Sequence, residues 1–174
     1  MNVEETYQSI MHDLSLGGRG LRRYEVNELK HLVERLATTT NTIELKKLLC
    51  LIEHSASFHP PFALPLLQIL QQHRDPEILV FALNGARKHI LAYHQQQGKR
   101  LDFTFLETLK QLLYSPEPEV VEWTLRTIEE MGSQGIYFLR EFKNIKPPPW
   151  KWFNEHNRSI REIIAMLEFR WSQK

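Results

Sequence analysis

Apolar positions along this chain recur at three- and four-residue steps, broken by short polar or proline-bearing stretches. That spacing predicts a string of amphipathic helices. Residues 3–14 make a short leading helix, which Leu16-Gly17-Gly18-Arg19-Gly20 ends because glycine turns the chain freely. A second helix spans 24–37, with Val26, Leu29, Leu32, Val33 and Leu36 on one face. Thr38-Thr39-Thr40-Asn41 interrupts it and offers capping side chains to a third, over 42–55. Ile43, Leu45, Leu48, Leu49, Leu51 and Ile52 give that third helix an apolar arc wide enough to be buried on two sides. Phe58-His59-Pro60-Pro61 turns into a helix over 62–73, and Arg74-Asp75-Pro76 leads into a long one over 76–96. Pro76 suits its first turn, where a backbone N–H is not missed. Gly98 stops it; the next helix starts at Asp102 or Thr104, and Ser115-Pro116-Glu117-Pro118 turns into one ending near Met131-Gly132. In the tail, 136–142 is short and aromatic, Lys146-Pro147-Pro148-Pro149 reads as extended, and 159–171 as a terminal helix.

Two of these helix pairs look like copies. Pro76-Glu77-Ile78-Leu79-Val80-Phe81-Ala82-Leu83 aligns with Pro118-Glu119-Val120-Val121-Glu122-Trp123-Thr124-Leu125, 42 positions on. The same offset pairs Ala86 with Ile128, and Leu64-x-x-Leu67 with Leu106-x-x-Leu109. A two-helix unit of that length buries its apolar face by stacking on its neighbours, which predicts a solenoid. An apolar helix, a turn rich in Asp and Pro and a second helix with apolar and alanine positions resemble HEAT-type repeats. Pro65 inside the first helix matches the bend these repeats often carry. Residues 62–94 and 104–131 carry the resemblance, and 24–55 gives a third unit at a shorter offset of 35, pairing Ile43 with Ile78 and Leu48 with Leu83.

The resemblance implies an all-α fold, a right-handed α-α superhelix of HEAT-like helical-hairpin repeats forming one domain over 1–174. Within it, 1–23 is an N-terminal helix and Gly/Arg loop, 24–132 the repeats, and 133–174 an aromatic and proline-rich C-terminal cap and helix. It departs from the family at the Asp–Arg ladder: Asp75 is present, but Leu79 and Val121 stand near the expected arginine position. The resemblance also implies that the second helices, about 76–94 and 117–131, line a concave face where ligands sit.

Charge narrows the partners. Lys and Arg total 22 against 21 Asp and Glu, a formal net charge of +1, which disfavours general binding to nucleic acid. A single cysteine, Cys50, excludes an internal disulfide and fits a reducing compartment. The acidic start has no apolar run of a signal peptide, and no stretch approaches the roughly 18 apolar residues of a membrane span, so a cytoplasmic protein without membrane contact is expected.

Candidate chemistry is sparse. Arg87 and Lys88 correspond to Glu129 and Glu130 at the 42-residue offset, either as an ion-pair ladder between repeats or as part of a polar strip with Val80, Asn84, Glu122 and Arg126. Cys50 with His54, and Glu28 with His31, sit one helical turn apart but make only half a metal site each. No metal and no cofactor are expected. Gly17-Gly18-Arg19-Gly20-Leu21-Arg22-Arg23 lacks the Gly-Lys-Ser/Thr ending of a phosphate loop and reads as a solvated linker. Trp150, Trp152 and Phe153 follow three prolines; they either cap the last repeat with Phe169 and Trp171 or anchor a partner.

The expected function is a non-catalytic protein-interaction module, an adaptor or regulatory scaffold, monomeric or homodimeric. It would hold a protein or peptide through Val80, Asn84, Arg87, Lys88, Glu122, Arg126, Trp150, Trp152 and Phe153. The alternative is an enzyme resembling the HEAT-like alkylpurine DNA glycosylases, for which Glu122, Trp123 and Arg126 fall close together on one helix.

Overall fold

The computed structural model describes residues 1–151 and 153–172. Among them are ten α-helices and no strand, with one isolated parallel bridge between Arg22 and Ser55. No helix of the described residues is long and apolar enough to cross a membrane. The chain forms two compact units, Met1–Lys99 and Arg100–Lys174.

The first unit holds α1 (Val3–Ser15), α2 (Val26–Thr38), α3 (Thr42–Glu53), α4 (Ala63–Gln72), α5 (Pro76–Ala86) and the single turn α6 (Tyr93–Gln96). Short polar side chains start several of them. Asn41 Oδ1 accepts from the Ile43 and Glu44 N–H groups at 3.0 and 3.1 Å, and Asp75 Oδ1 from those of Glu77 and Ile78 at 3.0 and 3.3 Å. Glu25 and Glu28 form a reciprocal capping box at the start of α2. Helix α2 pairs with α3 and α4 with α5, and the pairs stack: α3 lies on α5 while α2 touches α4. Helix α1 covers another side of α3. The wide apolar arc of α3 is accordingly buried from Leu45 through Leu48, Leu49, Leu51 and Ile52, whereas Ile43, expected in it, lies on the first turn and is largely exposed. Gly85 lets Leu66 approach to 3.0 Å of where a Cβ would stand. Asp75 takes its cation from the preceding helix pair, Lys46 on α3 at 3.5 Å, with Glu77 sharing the same ammonium.

The helix expected over 76–96 is interrupted. Between α5 and α6, Arg87–Ala92 is π-helical. Successive side chains on a regular helix face different directions. Here Lys88 and His89 both reach carbonyls at the end of α3, and the widened turn sits where they do so.

The second unit holds α7 (Phe103–Leu112), α8 (Pro118–Glu130), the single turn α9 (Phe142–Ile145) and α10 (Glu155–Ser172). Helix α8 packs on α7 and more extensively on α10, around Phe105, Leu109, Leu125, Ile128, Ile164 and Leu167. A 3₁₀ stretch, Gly132–Phe138, takes up the first part of the short aromatic segment 136–142. Lys146 is extended, as the prolines after it require, and α10 begins four residues earlier than its apolar pattern suggested. Asn154 explains the early start, since its Oδ1 accepts from the Asn157 N–H at 3.1 Å.

Candidate interaction surface

Val80 and Asn84 on α5 and Arg87 just beyond it are half-buried and spaced four and three apart, so they share one face. Arg87 Nη1 donates to Asn84 Oδ1 at 3.3 Å. Lys88 does not share that strip. Its ammonium donates to the carbonyl of Glu53 at 3.0 Å and to that of Ser55, covering backbone oxygens left open where α3 ends. Burial lowers the Lys88 pKa from its ordinary range, and the Glu53 carboxylate opposes the shift. Lys88 is therefore an internal tie.

In the second unit Glu122 is only 6% exposed and both its oxygens are engaged. Oε1 accepts from Arg126 Nε and Nη2 at 2.9 and 2.5 Å, and Oε2 lies 2.7 Å from His156 Nδ1 on the first turn of α10. The Arg126 guanidinium also stands 5.8 Å from the Trp123 ring centroid. This cluster ties α8 to α10 and leaves Glu122 little capacity for a ligand. Glu129 pairs with Arg170 at 3.5 Å within the same unit. Because Arg126 and His156 are half-exposed and regain water when unpaired, Glu122→Ala costs about 1–2 kcal/mol in denaturant unfolding rather than the several typical of a sealed pair. A loss above that range would mean the cluster is closed to solvent.

The aromatic segment divides. Trp150, on the 3₁₀ turn Pro149–Lys151, is 75% exposed and Phe153 is fully exposed. Trp152 lies outside the described residues. Of the aromatics further on, Trp171 is buried and stacks on Phe142 with centroids 6.0 Å apart, whereas Phe169 is 68% exposed. Among the described ones, only Trp171 covers core.

Cys50 and His54 do come together, with Sγ 3.7 Å from Nδ1, but that nitrogen is also 2.9 Å from the Cys50 carbonyl. Burial and the nearby Glu53 push the thiol up to about 11, so it stays protonated at neutral pH and is a poor metal ligand. The glycine–arginine loop is more tied down than a solvated linker. Arg22 binds Asp13 and Ser9, each at 2.8 Å, and its backbone bridges to the end of α3.

Two features escaped the periodicity. His89, fully buried, accepts the His59 N–H on Nδ1 at 3.0 Å and directs Nε2 at the Ile52 carbonyl, 2.9 Å away. The ring also meets Phe62 edge-on at 5.0 Å. In the second unit two clefts of about 330 Å³ each adjoin at Lys146. The six cations over 140–161 signalled them: Arg140, Lys143, Lys146, Lys151, Arg158 and Arg161 stand against Glu141 and Glu155, a local net charge of +4 hidden by the overall balance. No family model, no curated protein and no solved structure matches this chain.

Proposed function

We propose that this protein is a non-catalytic interaction module, a short HEAT-like α-solenoid that holds a protein or peptide partner. The stacking of α2–α3 on α4–α5 supports the repeat reading for residues 1–99, because like helices lie beside like. The observation that carries the function is the exposure of Trp150 and Phe153 beside a run of prolines. Large aromatics left in water are costly in solubility, and they are the side chains that dominate binding energy when a partner covers them. Of the contacts expected from the sequence, Val80, Asn84, Arg87 and Arg126 are partly exposed, while Lys88 and Glu122 are committed internally. The buried, doubly bonded Glu122 weighs against the glycosylase alternative, which needs a carboxylate free to meet a lesion.

Affinity purification with the tagged full chain tests this reading. Trp150→Ser/Phe153→Ser leaves helical content unchanged, since both side chains lie outside the core, and weakens retention of the specific partner by about tenfold or more. Partners held equally by wild type and variant would remove the aromatic segment from the interface.

A further inference from the structure

We propose that the paired clefts of the second unit bind an acidic, extended peptide segment of the partner; this rests on the interaction reading above. Outside residues 140–161 the chain carries 16 Lys and Arg against 19 Asp and Glu, so its positive character is confined to this region. One cleft is lined by Lys146 and Lys151 together with Tyr114, Asn144 and Asn157. The other is lined by Lys146, Arg158, Arg161, Glu162 and Ala165. Lys146 spans both, held 3.2 Å from Glu168, and Arg161 is fixed by the Pro147 carbonyl at 2.6 Å. Among the described residues, the Lys151 ammonium and the Arg158 guanidinium have no ion-pair partner, so their charge faces the solvent of the clefts.

Asn157 points to a peptide. It is 9% exposed and lines the first cleft, yet among the described residues its side-chain amide makes no hydrogen bond. That amide is open to the solvent of the cleft, since among the described residues no sealed side-chain N or O atom lacks a partner. It presents a donor and an acceptor side by side, which complements the C=O and N–H of one peptide unit. A simple anion would use the donor alone. Carboxylates on the same segment then meet Lys151 and Arg158, and the exposed Trp150 next to Lys151 offers an apolar contact at the rim.

Fluorescence anisotropy on the full chain tests this, with a fluorescein-labelled peptide of alternating Asp, Glu and Leu and a matched peptide carrying Asn and Gln at the acidic positions. The acidic peptide binds more tightly, and Lys151→Glu/Arg158→Glu weakens it about tenfold while leaving the neutral peptide unaffected. Both substituted side chains are exposed, so the fold survives, and circular dichroism verifies it. Asn157→Ala weakens both peptides, because the backbone contact does not depend on their charge. Equal binding of the two peptides, lost in Trp150→Ser/Phe153→Ser, overturns this inference and leaves the interaction reading standing. Binding of neither peptide overturns it too. Capture of phosphatidylserine vesicles or a single-stranded oligonucleotide through Lys151 and Arg158, with no peptide bound, overturns both.

Discussion

His89→Leu lowers the stability of the protein by about 2 kcal/mol near neutral pH and removes a pH dependence that the wild type shows in mild acid. Leucine fills most of the space but leaves the His59 N–H without its partner, and such an orphan costs roughly 1–3 kcal/mol; the Ile52 carbonyl loses one of two donors and keeps the Ser55 N–H at 3.1 Å. Those two bonds join the π-helical turn to the end of α3 and to the bend before α4, so their loss loosens three elements at once. Burial, with lesser repulsion from Lys88 and His59, lowers the His89 pKa to about 4 from 6.5. The unfolded chain therefore takes up a proton near pH 6.5 that the folded one refuses until about pH 4. The sign follows: stability from this group is full above the unfolded value, falls as pH drops through that window, and levels off below it. The span amounts to about 3 kcal/mol at most. His59, lowered by burial and by Lys88, adds in the same direction. Urea unfolding followed by circular dichroism across that range measures both effects. Identical acid slopes for wild type and His89→Leu would show that His89 is not the group responsible.

Gly135→Ala destabilises the second unit by about 3 kcal/mol, for a different reason. A Cβ at that position would stand 2.7 and 2.8 Å from the Trp171 ring carbons and 2.8 Å from the Ile128 carbonyl oxygen. The tryptophan is buried against Phe142, and the carbonyl belongs to α8, so neither yields without moving an element. Gly132, three residues earlier, is the control. Its φ of +61° disfavours alanine, but nothing lies within 4 Å of its Cβ, so Gly132→Ala costs only about 1 kcal/mol. Thermal unfolding read by tryptophan fluorescence ranks the two. Equal losses would mean that the Gly135 approach is looser than described.

Helix existence and type were legible from the chain. The starts at Thr42 and Pro76 agree because Asn41 and Asp75 cap them with short side chains that need no distant partner. Boundaries shifted where a cap lay outside the apolar pattern, as at Asn154 before α10. The π-helical interruption had no local marker: Arg87–Ala92 contains neither proline nor glycine, and its hydrophobic spacing continues that of α5. The candidate contacts were less legible still. Lys88 and Glu122 look like surface charges in a linear reading, because charge is ordinarily solvated. Both are internal, one covering carbonyls and the other joining two helices.

By itself, the sequence determined that this protein is helical and where most helices begin. Those properties depend on neighbours within one turn, through periodicity and capping, and are written in consecutive residues. Only the tertiary structure decided what the polar side chains do. Lys88 reaches Glu53 across 35 positions, His89 reaches Ile52 across 37, and Glu122 reaches His156 across 34. A hydrogen bond over that span exists only once helices have packed, and the same packing leaves Asn157 unpartnered in its cleft and Trp150 in water.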